Sequence, residues 1–124
     1  MNAEELKRRT KKFGLAVIKL VESLPSSQTA RVIGNQLLRS ALSVGANYRA
    51  ACRARSKADF ISKVGITIEE ADESQHWLEM LGEAGLVPQD KLEQLAKEAD
   101  ELVAILTASA KTARENLSGR TQAK

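Results

Sequence analysis

The sequence predicts an all-α protein, an antiparallel up-down-up-down four-helix bundle. Three observations carry this. Aromatic residues make up only 3% of the 124, and the apolar mass is Leu, Ala, Ile and Val, a supply that favours helix over sheet. Apolar residues recur at three- and four-residue spacing in four long stretches. Short segments rich in Pro, Gly and Ser separate those stretches, so successive helices must run antiparallel. The chain reads as one domain over 1–124, with its core between about residues 4 and 117.

Helix one is expected from about Glu4 to Ser23, with Leu6, Phe13, Val17, Leu20 and Leu24 on one side. "SLPSSQ" ends it, because Pro25 has no amide hydrogen to continue the ladder and Ser26 or Ser27 can cap the next helix. Helix two starts near Gln28 and reaches about residue 52, burying Ala30, Ile33, Leu37, Ala41, Val44 and Tyr48. Gly34 and Gly45 each weaken it by about 1 kcal/mol relative to alanine, and mark either close helix approach or a bend.

"SKAD" at 56–59 has the form of a capping box, with Ser56 as N-cap. Helix three then runs to about Glu83 on Phe60, Val64, Ile68, Ala71 and Leu78. In "GEAGLVPQD", Gly85 suits the residue after a helix end and Pro88 the first turn of a new helix. Helix four, about 88 to 117, carries Leu92, Leu95, Ala99, Leu102, Leu106, Ala110, Ala113 and Leu117, and "SGRTQAK" is expected to fray.

Charge divides unevenly. Residues 1–57 hold twelve Lys+Arg against three acids, residues 58–124 seven against thirteen, and no acid occurs between Glu22 and Asp59. On a helical projection Arg31, Arg39, Arg49, Arg53 and Lys57 share roughly an 80° arc away from the core stripe. These five are the candidate nucleic-acid-binding residues, able to meet several phosphates in a salt-sensitive way. A subunit or intrachain contact and an ordinary solvated face are the other readings of the arc. Leu42 sits in its middle, and no aromatics are interleaved with the cations, which speaks against base stacking. Arg55 projects coreward if helix two continues, so that helix should end or bend by residue 54.

Helix three is apolar on a second side. Ile66, Trp77 and Met80 lie roughly opposite Val64, and with Leu42 they form the candidate oligomer interface. Wide burial within one chain is the alternative reading.

Chemistry is hard to place on this chain. Glu73 and His76 have the Glu-x-x-His spacing of di-metal bundles, but such sites need the motif twice and His76 is the only histidine. Cys52, the only cysteine, stands far from it in sequence, and no glycine-rich phosphate loop is present. No catalytic residue, metal ligand or cofactor is therefore assigned, and no enzyme is expected. No apolar run long enough for a membrane span and no signal peptide are seen; with the lone cysteine, a cytoplasmic location is expected.

"LLRSALSVGANYRAACRARSKADFI" resembles the four-helix-bundle proteins related to those encoded in intervening sequences of bacterial 23S ribosomal RNA genes. The matching residues are Arg39, Ser40, Ala41, Ser43, Asn47, Arg55, Ser56 and Phe60, with Gly65 and Glu69 in helix three. Where the family usually has Ile-Ala-Glu-Gly after the Asn, this chain has Tyr48-Arg49-Ala50-Ala51. The resemblance implies an antiparallel bundle and a homo-oligomer, commonly a ring of five, with an undefined biochemical role. A related accessory protein of diversity-generating retroelements has a similar fold and ring and binds nucleic acid and a reverse transcriptase. The expected partners are thus further copies of the chain and structured RNA or other nucleic acid. The alternative is a protein-binding adaptor with no nucleic-acid role.

Overall fold

The computed structural model describes the backbone of residues 1–123 and the side chains of residues 1–118. Four helices follow one another, α1 (Ala3–Glu22), α2 (Gln28–Cys52), α3 (Lys57–Glu83) and α4 (Gln89–Ala123). Among the described residues no helix is long and apolar enough to cross a membrane.

Helices α1, α2 and α3 each begin on a side-chain cap. Asn2 accepts the Glu5 amide at 2.8 Å, Ser27 the Ala30 amide at 3.1 Å and Ser56 the Asp59 amide at 3.0 Å, satisfying donors that the first turn leaves open. At Ser56 the box is altered, since the Asp59 carboxylate reaches the Arg55 amide at 3.4 Å. The α3–α4 turn is a Schellman closure. The Leu86 amide donates to the Leu81 carbonyl and the Gly85 amide to the Gly82 carbonyl, both at 3.0 Å, with Gly85 at φ 72°. That φ is what glycine supplies there. As expected, α2 stops before residue 54. Helix α4, in contrast, runs on through the segment expected to fray, to Ala123.

Turns of four or five residues join these long helices, so neighbours pack antiparallel. The contacts fix the register. Gly34 stands against Val21 and Leu24, Gly14 against Leu42, and Gly45 against the backbone of Thr10 and Lys11, descending α1 as α2 ascends. Ser40 meets Ser74, and Gly82 meets Gln89 and Leu92. Among the described residues, contacts link α1 to α2, α2 to α3, α3 to α4 and α4 to α1, and no diagonal pair. The α1–α4 seam is the thinnest. Its clasp is Arg9, whose Nε and Nη2 donate to the two Glu98 carboxylate oxygens at 2.7 Å each.

The core holds the stripe the spacing predicts, with Phe13, Val17, Leu37, Ala41, Val44, Val64, Ala71, Leu78, Leu102 and Leu106 all at 2% exposure or less. Helix α3 departs from it. Phe60 and Ile68 are only partly buried, while Thr67 and Ser74 are fully buried. Their hydroxyls donate to the carbonyls of Lys63 and Glu70 four residues back, so they enter the core without orphaned polar atoms. Leu117 ends the α4 stripe exposed.

Candidate nucleic-acid interface

Antiparallel packing turns the chain's charge asymmetry into an end-to-end one. The start of α1, the α2–α3 turn and the late part of α4 meet at one end. Glu4 and Lys7 line a groove with Arg49, and Arg55 and Lys57 line a hollow with Thr112 and Asn116. Residues 1–12, 44–68 and 104–118, which make up this half, hold twelve Lys+Arg against four Asp+Glu. Residues 13–43 and 69–103, the other half, hold five against twelve.

The four arginines and one lysine of the predicted arc divide. Arg49, Arg53 and Lys57 lie at the basic end. Lys57 is not on the α2 face, because α2 stops at Cys52 with Arg53 as its C-cap, and Lys57 opens α3. Arg31 is exposed toward the far end of α2, about 27 Å from Arg49 at the helical rise. Arg39 is engaged within the chain. Its guanidinium pairs with Glu73 and lies 3.4 Å from Glu70, binding α2 to α3. Glu73 also accepts the Trp77 indole N–H at 2.9 Å, and the His76 ring packs edge-on against Trp77 at 4.9 Å. Of the Glu-x-x-His pair, Glu73 is thus engaged at the α2–α3 seam and His76 is exposed. Among the described residues no group of three or more His, Cys, Asp or Glu is placed to hold a metal ion.

A helical projection of α2 alone misses the cations of α1. Lys7, Arg8 and Lys11 join Arg49 around a groove of about 530 Å³ between α1 and α2, whose floor is Gly14, Ala41, Gly45 and Ala46, flanked by the exposed Leu15 and Leu42. The single acid on its rim, Glu4, is paired with Lys7 at 2.7 Å, and that hydrogen bond and charge hold its carboxyl below the usual value. The run "KRRTKK", read together with antiparallel topology, is the signal that could have located this cluster.

Beneath the basic end lies Tyr48, 3% exposed and the only tyrosine. Burial first, then its hydrogen bond with the Cys52 thiol, raises its pKa well above the ordinary 10.0. The neutral hydroxyl is therefore a condition of the fold. Its contribution is complete below pH 10, where the unfolded phenol ionises, and is lost as pH rises further. In an alkaline titration the near-ultraviolet phenolate absorbance should rise late, together with loss of the helical circular-dichroism signal. Ionisation near pH 10 with helices intact would place the hydroxyl in water.

Residues 4–108 match the model of the 23S rRNA-intervening sequence protein family. The chain belongs to that family. Among four solved chains that match is a Bacteroides thetaiotaomicron protein of unknown function from the S23 ribosomal protein family. It is 32% identical over 90% of this chain and 99% of its own, with a TM-score of 0.83. No curated protein matches. Within this chain, Arg39 and Ser40 both serve the α2–α3 seam, one by ion pair and one by hydroxyl contact. Tyr48 and Arg49, one after the other on α2, supply a buried phenol and a groove cation.

Proposed function

We propose that this chain is a non-enzymatic, self-associating cytoplasmic bundle, assembling as a ring of about five copies, whose basic end binds structured RNA through its phosphates. The observation that carries this is the gathering of twelve Lys+Arg against four acids at one end of the bundle. Arg53, Arg55 and Lys57 on and beside the α2–α3 turn, with Arg49 close by, make the phosphate contacts; Lys111 and Arg114 of α4 extend the surface. Arg39 is left out, being spent on Glu70 and Glu73, and Arg31 is too distant to share a phosphate cluster. No exposed aromatic ring accompanies the cations, since Tyr48 is buried and Phe60 half-buried, so the grip is on backbone rather than on bases. Several copies around one ring present the same end together, and modest patches add on one polyanion.

Binding of a fluorescent RNA hairpin, titrated between about 50 and 200 mM salt, tests this. The wild type should weaken steeply with salt. An Arg53→Ala, Arg55→Ala, Lys57→Ala variant should lose about tenfold or more in affinity and lower the salt slope by about one unit per contact removed. Unchanged affinity in the variant, or no binding by the wild type, overturns the RNA reading; a co-purifying protein retained at high salt would then favour the adaptor.

A further inference from the structure

Two exposed surfaces of this bundle complement each other, and the cations Arg8 and Lys11 of one and the carboxylate Glu69 of the other are exposed. The first is the α1–α2 groove, with Leu15 at 54% and Leu42 at 47% exposure and cations Lys7, Arg8, Lys11 and Arg49 along its rim. The second is a ridge on α3. Ile66, Glu73 and Met80 are spaced seven residues apart and so form one line along the helix, with Glu69 a turn from Ile66. Ile66 is 43% and Met80 39% exposed, and Glu69 is exposed. One surface is apolar with a basic rim, the other apolar with an acidic one.

Their heights agree. Gly45 stands beside Lys11, and the Ser40–Ser74 and Arg39–Glu73 contacts place Ala46 beside Ile66. Lys11, Leu42, Ala46, Ile66 and Glu69 thus lie within about one helical turn of one level across the bundle axis. Their directions differ. The groove opens on the α1–α2 side, and the ridge faces out beside Arg39 on the adjacent α2–α3 side. The two outward directions are about 90° apart in a square bundle. A contact between unlike surfaces at such an angle repeats by rotation and closes on itself after about four or five copies.

We propose that the α1–α2 groove receives the α3 ridge of a second copy, with Ile66 seated over Ala46 and Glu69 facing Lys11, so that parallel copies join through unlike surfaces into a closed ring. This rests on the self-association proposed above and names the surfaces that perform it. Small residues make room for it: Gly14, Ala41, Gly45 and Ala46 form the floor on which an isoleucine can rest. The parallel arrangement leaves Arg53, Arg55 and Lys57 outside the contact, together on one rim of the ring.

Charge exchange tests the pairing. Lys11 and Glu69 are both exposed, so Lys11→Glu and Glu69→Lys leave the fold intact, which circular dichroism checks. Mass is measured by light scattering over a concentration series, without RNA. Each single variant should need at least about tenfold more protein to assemble, and the double variant should return to the wild-type mass profile. Single variants that assemble like an assembled wild type overturn this interface and leave self-association standing through other surfaces. A double variant no better than the singles overturns the Lys11–Glu69 pairing. A wild type that stays monomeric throughout removes the self-association reading itself, and this inference with it.

Discussion

Phe13→Ala should lower the unfolding free energy by about 3–5 kcal/mol, read from urea unfolding followed by circular dichroism. Phe13 is 2% exposed and is the largest side chain that α1 gives to the core. Truncation loses its transfer energy and leaves a void that the backbone around it cannot close, because Gly14 already brings α1 near α2. The effect is large because α1 is lightly held. It packs broadly on α2 but meets α4 along a thin seam clasped by Arg9 and Glu98. A domain of this size has a total stability of only about 5–15 kcal/mol, so this one change removes a large part of it. A measured loss under about 1 kcal/mol would mean that α1 is dispensable to the core.

Ser40→Leu and Ser40→Ala should part company. Ser40 is fully buried where α2 meets α3, its hydroxyl donating to the Leu37 carbonyl at 3.2 Å and lying 3.0 Å from the Ser74 hydroxyl. Removing that hydroxyl orphans nothing, because Ser74 donates to the Glu70 carbonyl at 2.8 Å. Alanine should therefore cost no more than about 1 kcal/mol. Leucine needs volume the seam does not have, and wedging the helices apart also pulls Arg39 from Glu70 and Glu73. A loss of about 3 kcal/mol is expected, by the same unfolding measurement. Equal tolerance of both residues would show a seam loose enough to repack.

The helices and their order were legible because periodicity and punctuation agree. Pro25, the Ser56 cap and Gly85 mark boundaries whose chemistry is local, and the structure uses Ser56 and Gly85 as their residue types require. The α3 core stripe was less legible. Thr67 and Ser74 read as surface residues in one dimension, but each hydroxyl can be satisfied by its own helix and then buried. The candidate site was legible only in part. Projection on α2 grouped Arg39 with Arg49 by angle, yet Arg39 has acids of α3 within reach and Arg49 borders α1. Lys7, Arg8 and Lys11 escaped for the converse reason: their position beside Arg49 comes from the antiparallel return of the chain. Lys57 was carried along a helix that had already stopped at Cys52.

The separation of charge along the bundle axis has a kinetic consequence. A body with cations gathered at one pole and carboxylates at the other experiences a torque in any strong external field, at separations where no hydrogen bond or contact exists. Near a dense array of negative charge it turns its basic pole inward before touching, and its acidic flank is held away. The fraction of collisions that arrive correctly oriented then rises above the random value, and added salt lowers it by shortening the distance over which the torque acts. Approach would thus be selected for direction before any side chain is in reach.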